Sequence, residues 1–151
     1  MDEAQEQNMV EVVLGRIVIR DDSDRQYIFL AEKDGKRGFP IVIGTNEAHE
    51  IQRVVSGTEL ERPLTHQLAF SMVEGLGASI KRCDVVDLRK NTFFAHLILQ
   101  TDEGGTTTVI DARPSDAIAL ALRARCPIRV AESILDDVRT DDSGTDPLPE
   151  V

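Results

Sequence analysis

Three short stretches of the chain concentrate the residue types that do chemistry. Asp111-Ala112-Arg113-Pro114-Ser115-Asp116 sets two carboxylates and a guanidinium around the point where a strand gives way to a helix. Arg62-Pro63-Leu64-Thr65-His66 places an arginine and an imidazole just ahead of another helix, and Gly44-Thr45-Asn46-Glu47 adds a third carboxylate at a similar start. Such carboxylates could hold Mg²⁺ or Mn²⁺ with water, the ion activating the water for attack on a phosphodiester while an arginine steadies the phosphate oxygens. That chemistry assigns Asp111, Asp116, His66 and Glu47 to catalysis, Asp111 and Asp116 to the metal, and Arg62 and Arg113 to the substrate. The dipole of a first helical turn favours a neutral His66 ring, the form that accepts a proton or ligates a metal.

Every one of these residues also has a purely structural use. Glu47 and Asp116 complement helix dipoles, worth ~0.3–1 kcal/mol each. Asp111, at the end of an apolar strand, needs a partner if buried, and Arg113 or Arg62 could be one. His96 shares a strand side with Phe94 and Ile98 and reads as structural, while His49 belongs to a polar helix face with Glu50 and Arg53.

The elements that must carry these residues follow from local pattern. The β-branched run Thr106 to Ile110 is extended, and Pro114 suits a first helical turn while keeping Arg113 out of the α region. The helix from Pro114 is apolar nearly all round and belongs in the core. Strands are expected at Val10–Arg20, Gln26–Ala31, Phe39–Ile43, Ser79–Leu88, Thr92–Gln100, Thr106–Ala112 and Ile128–Val130, with turns at Asp21–Asp24, Lys33–Lys36, Lys90-Asn91 and Glu103–Gly105. Thr45–Val55 is amphipathic, with Ala48, Ile51 and Val55 inward and Glu50 outward. Thr65 caps a helix to Glu74 whose core stripe is Ala69, Met72, Val73 and Leu76, and Ala131–Val138 is a last helix.

In order, these elements repeat: three strands and a helix, a linking helix, then three strands and a helix again. Aligning Glu47 with Asp116 pairs Leu30 with Leu99, Gly35 with Gly104, Ile41 with Ile110 and Ala48 with Ala117. The expected fold is therefore an α+β domain on a mixed β-sheet, built from a duplicated β-β-β-α unit with a linking helix and a C-terminal helix.

Composition bounds the rest. A chain of 151 residues with 41% hydrophobic content makes one domain, 10–138, between an acidic flexible N-terminus, 1–9, and a disordered acidic tail, 139–151. The net charge of −10 lies mostly in those ends, leaving the folded part nearly balanced. No apolar run approaches the ~20 residues needed to span a bilayer, so no membrane partner is expected and the expected address is the cytoplasm. Cys83 and Cys126 lack metal-site spacing and read as reduced thiols. Absence of G-x-S-x-G, H-E-x-x-H, Walker and G-x-G-x-x-G patterns removes serine hydrolases, zincins, P-loop enzymes and Rossmann oxidoreductases.

Taken jointly and in order, Pro40–Ala48 (P-I-V-I-G-T-N-E-A), Arg62–His66, Leu76–Ala78, Thr92–Leu97 and Asp111–Arg123 resemble the bifunctional nuclease domain family over roughly Val10 to Val138. The resemblance implies an α+β mixed-sheet fold, degradation of DNA and RNA, and self-association into a homo-oligomer. Against plant members, the sequence departs in its acidic tail, and no appended interaction motif is expected. The expectation is a nuclease acting on DNA or RNA; the alternative is a non-enzymatic binding or regulatory module whose polar motifs form a structural network.

Overall fold

The computed structural model describes residues 8–103 and 105–138. The expected flexible ends fall largely outside the described residues, as does Gly104 of the Glu103–Gly105 turn. Seven strands are described: β1 (Met9–Val18), β2 (Arg25–Glu32), β3 (Gly38–Gly44), β4 (Ala78–Arg89), β5 (Thr92–Thr101), β6 (Thr107–Ala112) and β7 (Ile128–Ala131). Four helices accompany them: α1 (Thr45–Ser56), α2 (Thr65–Gly75), α3 (Pro114–Ala124) and α4 (Glu132–Val138). The first strand starts at Met9, within the segment expected to be flexible, and the Asn8 carbonyl accepts the Glu132 N–H at 2.8 Å.

All strands join one sheet in the order β3-β2-β1-β7-β4-β5-β6. Its pairs are antiparallel except β4–β7, which is parallel. Two three-stranded meanders thus flank β7 in mirrored order, the arrangement a duplicated β-β-β-α unit produces. The Lys90-Asn91 turn has both residues at positive φ, 50° and 63°, as a two-residue hairpin with right-handed strand twist requires. Register slips in β1 and β4 mark bulges, which increase local twist. Although β3 and β5 are not neighbours in the sheet, Phe39 and Phe93 meet with ring centroids 5.5 Å apart, so the sheet curls.

One face of the sheet supplies Val12, Ile28, Leu30, Ile41, Cys83, Val85, Ala95, Leu97 and Val130 to a core completed by α1, α3 and α4. Helix α3 is buried from Pro114 to Ala121 except at Asp116, as an all-round apolar helix must be. Alternation sends Glu11, Phe29, Asp84, His96, Ile98 and Arg129 to the opposite face. There Asp84 is buried and accepts from Arg129 at 2.9 Å and from Arg82 at 3.0 Å. Burial pushes its carboxyl up, but the two guanidinium groups draw it further down, below the usual carboxylate range.

Three helical expectations need correction. In α1, Val55 points outward at 59% exposure and Glu50 is buried at 1%. In α2, Ala69, Phe70 and Val73 reach the core, whereas Met72 and Leu76 are exposed. With Leu64 and Leu68 they form an outward i, i+4 apolar stripe, because α2 packs on α3 and β4 through its other side. Nor does Thr65 cap α2: Leu64 holds that position, and its N–H donates to the Gln67 side chain at 2.8 Å.

Candidate active site

Proline at the first position of α3 fixes Arg113 as its extended N-cap, with φ −67° and ψ 145°. One turn along, the Asp116 carboxylate faces the first turn of α2, and His66 Nε2 lies 2.8 Å from Asp116 Oδ1. Arg113 folds back on the other oxygen: its Nε donates to Asp116 Oδ2 at 3.0 Å and a terminal nitrogen sits at 2.9 Å. The same guanidinium donates to Glu47 Oε2 at 3.5 Å. Glu47 bends over the start of its own helix, since a Cβ on Gly44 would collide with its carboxylate. Three helix starts thus bring His66, Asp116, Arg113 and Glu47 to one place.

They line an open cavity of about 580 Å³ with His49, Glu50, Arg53 and Leu64. Arg113 is 65% exposed, so its ion pairs contribute little to stability, ~0–1 kcal/mol each in water. Their consequence is geometric and electrostatic. Hydrogen bonding and charge from Asp116 hold the guanidinium still more firmly protonated. A carboxylate on one imidazole nitrogen fixes ring orientation and leaves the other nitrogen to exchange a proton, the arrangement of an acid–base dyad.

Asp111 and Arg62 do not join this cluster. Asp111 is exposed on the edge strand β6, across from His96 in the β5–β6 register, and its carboxylate has no ion-pair or hydrogen-bond partner among the described residues. The anticipated Asp111 pair with Arg113 or Arg62 is therefore not formed: a solvated carboxylate needs no partner, and Arg113 is turned onto Asp116 and Glu47. Arg62 lies in the exposed loop before α2, without an ion pair among the described residues.

The donor set does not fit a protein-built Mg²⁺ or Mn²⁺ cage. Both Asp116 oxygens and one Glu47 oxygen are already on His66 or Arg113, and Asp111 stands apart. No group of three His, Cys, Asp or Glu residues suited to a metal occurs among the described residues.

Sequence reasoning missed a second charged group beside the first. Glu50 accepts from Arg53 at 3.1 Å and from Arg123 of α3 at 2.7 Å. Burial pushes the Glu50 carboxyl up, and Arg123 and Arg53 bring it below the usual range. The Nε atoms of Arg53 and Arg123 are buried without a hydrogen-bond partner among the described residues. The available signal was Glu50 beside core-facing Ile51, with Arg53 three residues on and an arginine in the last turn of an otherwise apolar α3.

Fold and cluster together define an α+β protein with an imidazole–carboxylate dyad backed by a guanidinium where its helices begin. The chain belongs to the bifunctional nuclease domain family, whose profile matches residues 28–143. An uncharacterized protein of Mycobacterium tuberculosis is 39% identical over 127 residues, covering 84% of this chain and 74% of that one. Bifunctional nuclease 2 of Arabidopsis thaliana is 28% identical over 108 residues, or 70% of this chain and 33% of the plant protein. Bifunctional nuclease 1 of Oryza sativa subsp. indica is 24% identical over 118 residues, or 77% and 36% respectively. The chain thus spans about a third of the length of these plant nucleases. No helix among the described residues is long and apolar enough to cross a membrane.

Proposed function

We propose that this domain is a nuclease that hydrolyses phosphodiester bonds of DNA or RNA, with the His66–Asp116 dyad as its acid–base centre. The observation that carries the reading is the 2.8 Å contact between His66 Nε2 and Asp116 Oδ1, with Arg113 on the second carboxylate oxygen at the mouth of an open cavity. With Nε2–H donated to Asp116, the remaining ring nitrogen takes a proton from water as its oxygen attacks phosphorus. The protonated ring then returns a proton to the leaving oxygen. Arg113 offers donors to the non-bridging oxygens, where charge builds up, and Glu47 restrains Arg113. Asp111 and Arg62 have no part in this mechanism, and no step passes through a metal. Unpaired Cys83 and Cys126 accord with a reducing compartment, so the proposal includes a cytoplasmic address.

The test is degradation of single-stranded DNA, duplex DNA and RNA by purified protein, in EDTA and in Mg²⁺ or Mn²⁺. Activity is expected to survive EDTA, and Asp116→Asn and His66→Ala to lower kcat by about 10²–10⁴-fold, the range for a lost general base or its orienting carboxylate. Equal degradation by both variants and the parent would refute the assignment. Absence of activity together with a large fall in melting temperature for Asp116→Asn would favour the non-enzymatic alternative, in which the cluster is a structural network.

A further inference from the structure

A larger cavity, about 800 Å³, opens on the other side of Arg113. It lies between the end of β3, the β4–β5 turn and the start of α3. Its walls are chemically two-ended. Ile43, Leu88 and Phe93 provide an apolar part. Arg25, Arg113 and Ser115 provide a polar part, with Asp24 as the acidic residue in the lining.

Ser115 marks this as more than a crevice. It is 7% exposed, lines the cavity, and its hydroxyl makes no hydrogen bond among the described residues. That hydroxyl keeps contact with solvent in the cavity, where a ligand oxygen can replace water as its partner. Around it, α3 has no side-chain cap, and Pro114 contributes no N–H, leaving the Ser115 and Asp116 amides as uncapped donors at the positive end of the helix. Arg25, like Ser115, has no side-chain partner among the described residues.

We infer that this cavity binds one nucleoside monophosphate unit, with the phosphate at Arg113 and Ser115 and the base against the apolar wall at Phe93. The size lies within the ~300–1,000 Å³ of small-molecule sites, and an aromatic face with an aliphatic surround suits a planar base of any sequence. The inference rests on the proposed nuclease reading for its role. Because Arg113 lines both cavities, a phosphate held on it is presented to His66 from one side while its nucleoside occupies the other. The cavity is then the subsite for the nucleotide adjoining the scissile bond.

The experiment titrates the full chain with AMP, adenosine and inorganic phosphate by calorimetry, alongside Thr92→Trp and Ser115→Ala. Thr92 is an exposed residue in the cavity lining, so its tryptophan variant obstructs the space without entering the core. Melting temperatures confirm folding of each variant. AMP is expected to bind at least tenfold more tightly than adenosine or phosphate, and to lose tenfold or more with Thr92→Trp and about fivefold with Ser115→Ala. AMP binding that survives Thr92→Trp in a folded protein, or no AMP binding by the parent, overturns the inference while leaving the His66–Asp116 nuclease reading to its own assay. Conversely, Thr92-sensitive AMP binding in a protein with no nuclease activity supports the nucleotide site and overturns the proposed reaction.

Discussion

Glu50→Ala separates the charged residues that hold this fold together from those that do chemistry. Glu50 is 1% exposed and clamps Arg53 of its own helix and Arg123 of α3, so it joins the two helices whose N-terminal ends carry Glu47 and Asp116. Its removal strands two guanidinium groups, each with a buried Nε already lacking a partner among the described residues. Breaking a buried pair from one side costs about 3–5 kcal/mol, and the partial exposure of both arginines argues for the lower end, about 3 kcal/mol. For a domain of this size that is a fall of about 10 °C in melting temperature.

The pH dependence carries a sign as well. Since the folded Glu50 carboxyl lies below its ordinary value of 4.5, its stabilisation is present above that value and is lost as pH falls through the folded one. The stability gap between parent and Glu50→Gln should therefore be widest near neutrality and shrink in acid as pH falls below 4.5 through the folded value. Urea denaturation at a series of pH values reads both effects, and a cycle with Arg123→Ala isolates the pair. A melting temperature within 2 °C of the parent for Glu50→Ala, or a gap that widens in acid, would refute the reasoning.

Other outcomes follow from the same structure. Arg129→Ala leaves buried Asp84 with Arg82 alone and should cost about 1–2 kcal/mol at neutral pH after allowance for solvent screening at Arg129. Because the Asp84 carboxyl is held below 3.8, that cost should shrink as acid protonates it, as denaturation below pH 4 would reveal. Asp111→Ala, on the solvated edge strand, should change stability by less than about 0.5 kcal/mol and leave nuclease rates within about threefold; a hundredfold loss would return Asp111 to the mechanism. Met72→Lys with Leu76→Lys should leave the melting temperature within a few degrees, since both side chains are exposed. If the expected homo-oligomer forms through the α2 stripe, that double variant becomes monomeric by sedimentation, whereas an unchanged assembly excludes the stripe.

Much of the fold was legible because period and punctuation agree: alternating β-branched runs, Lys90-Asn91 at the hairpin, and Pro114 at the entrance to an apolar helix. The mirrored meanders match the repeat read from Glu47 and Asp116. What failed was orientation, because facing depends on neighbours that local sequence does not specify. Helix α2 has apolar residues on two sides, and contact with α3 and β4 selects Phe70 and Val73 over Met72 and Leu76. Glu50 was read as outward because a charge ordinarily prefers water, yet an arginine 73 residues away makes its burial tolerable. The meeting of His66, Arg113, Asp116 and Glu47 was foreshadowed by their places at helix starts, while the separation of Asp111 from them was not: the end of a strand says nothing about whether that strand lies at an edge.

The position of β7 sets a schedule for assembly. The sheet is continuous only through Ile128–Ala131, which pairs Met9–Val12 on one side and Cys83–Val85 on the other. Both meanders precede β7 in the chain, so each half exposes a strand edge awaiting the same four residues. Closing so long a loop is slow relative to forming the local hairpins. A chain ending before Ile128 would therefore carry two unjoined half-sheets prone to pair with a neighbouring chain, and addition of β7 and α4 would join them into one sheet.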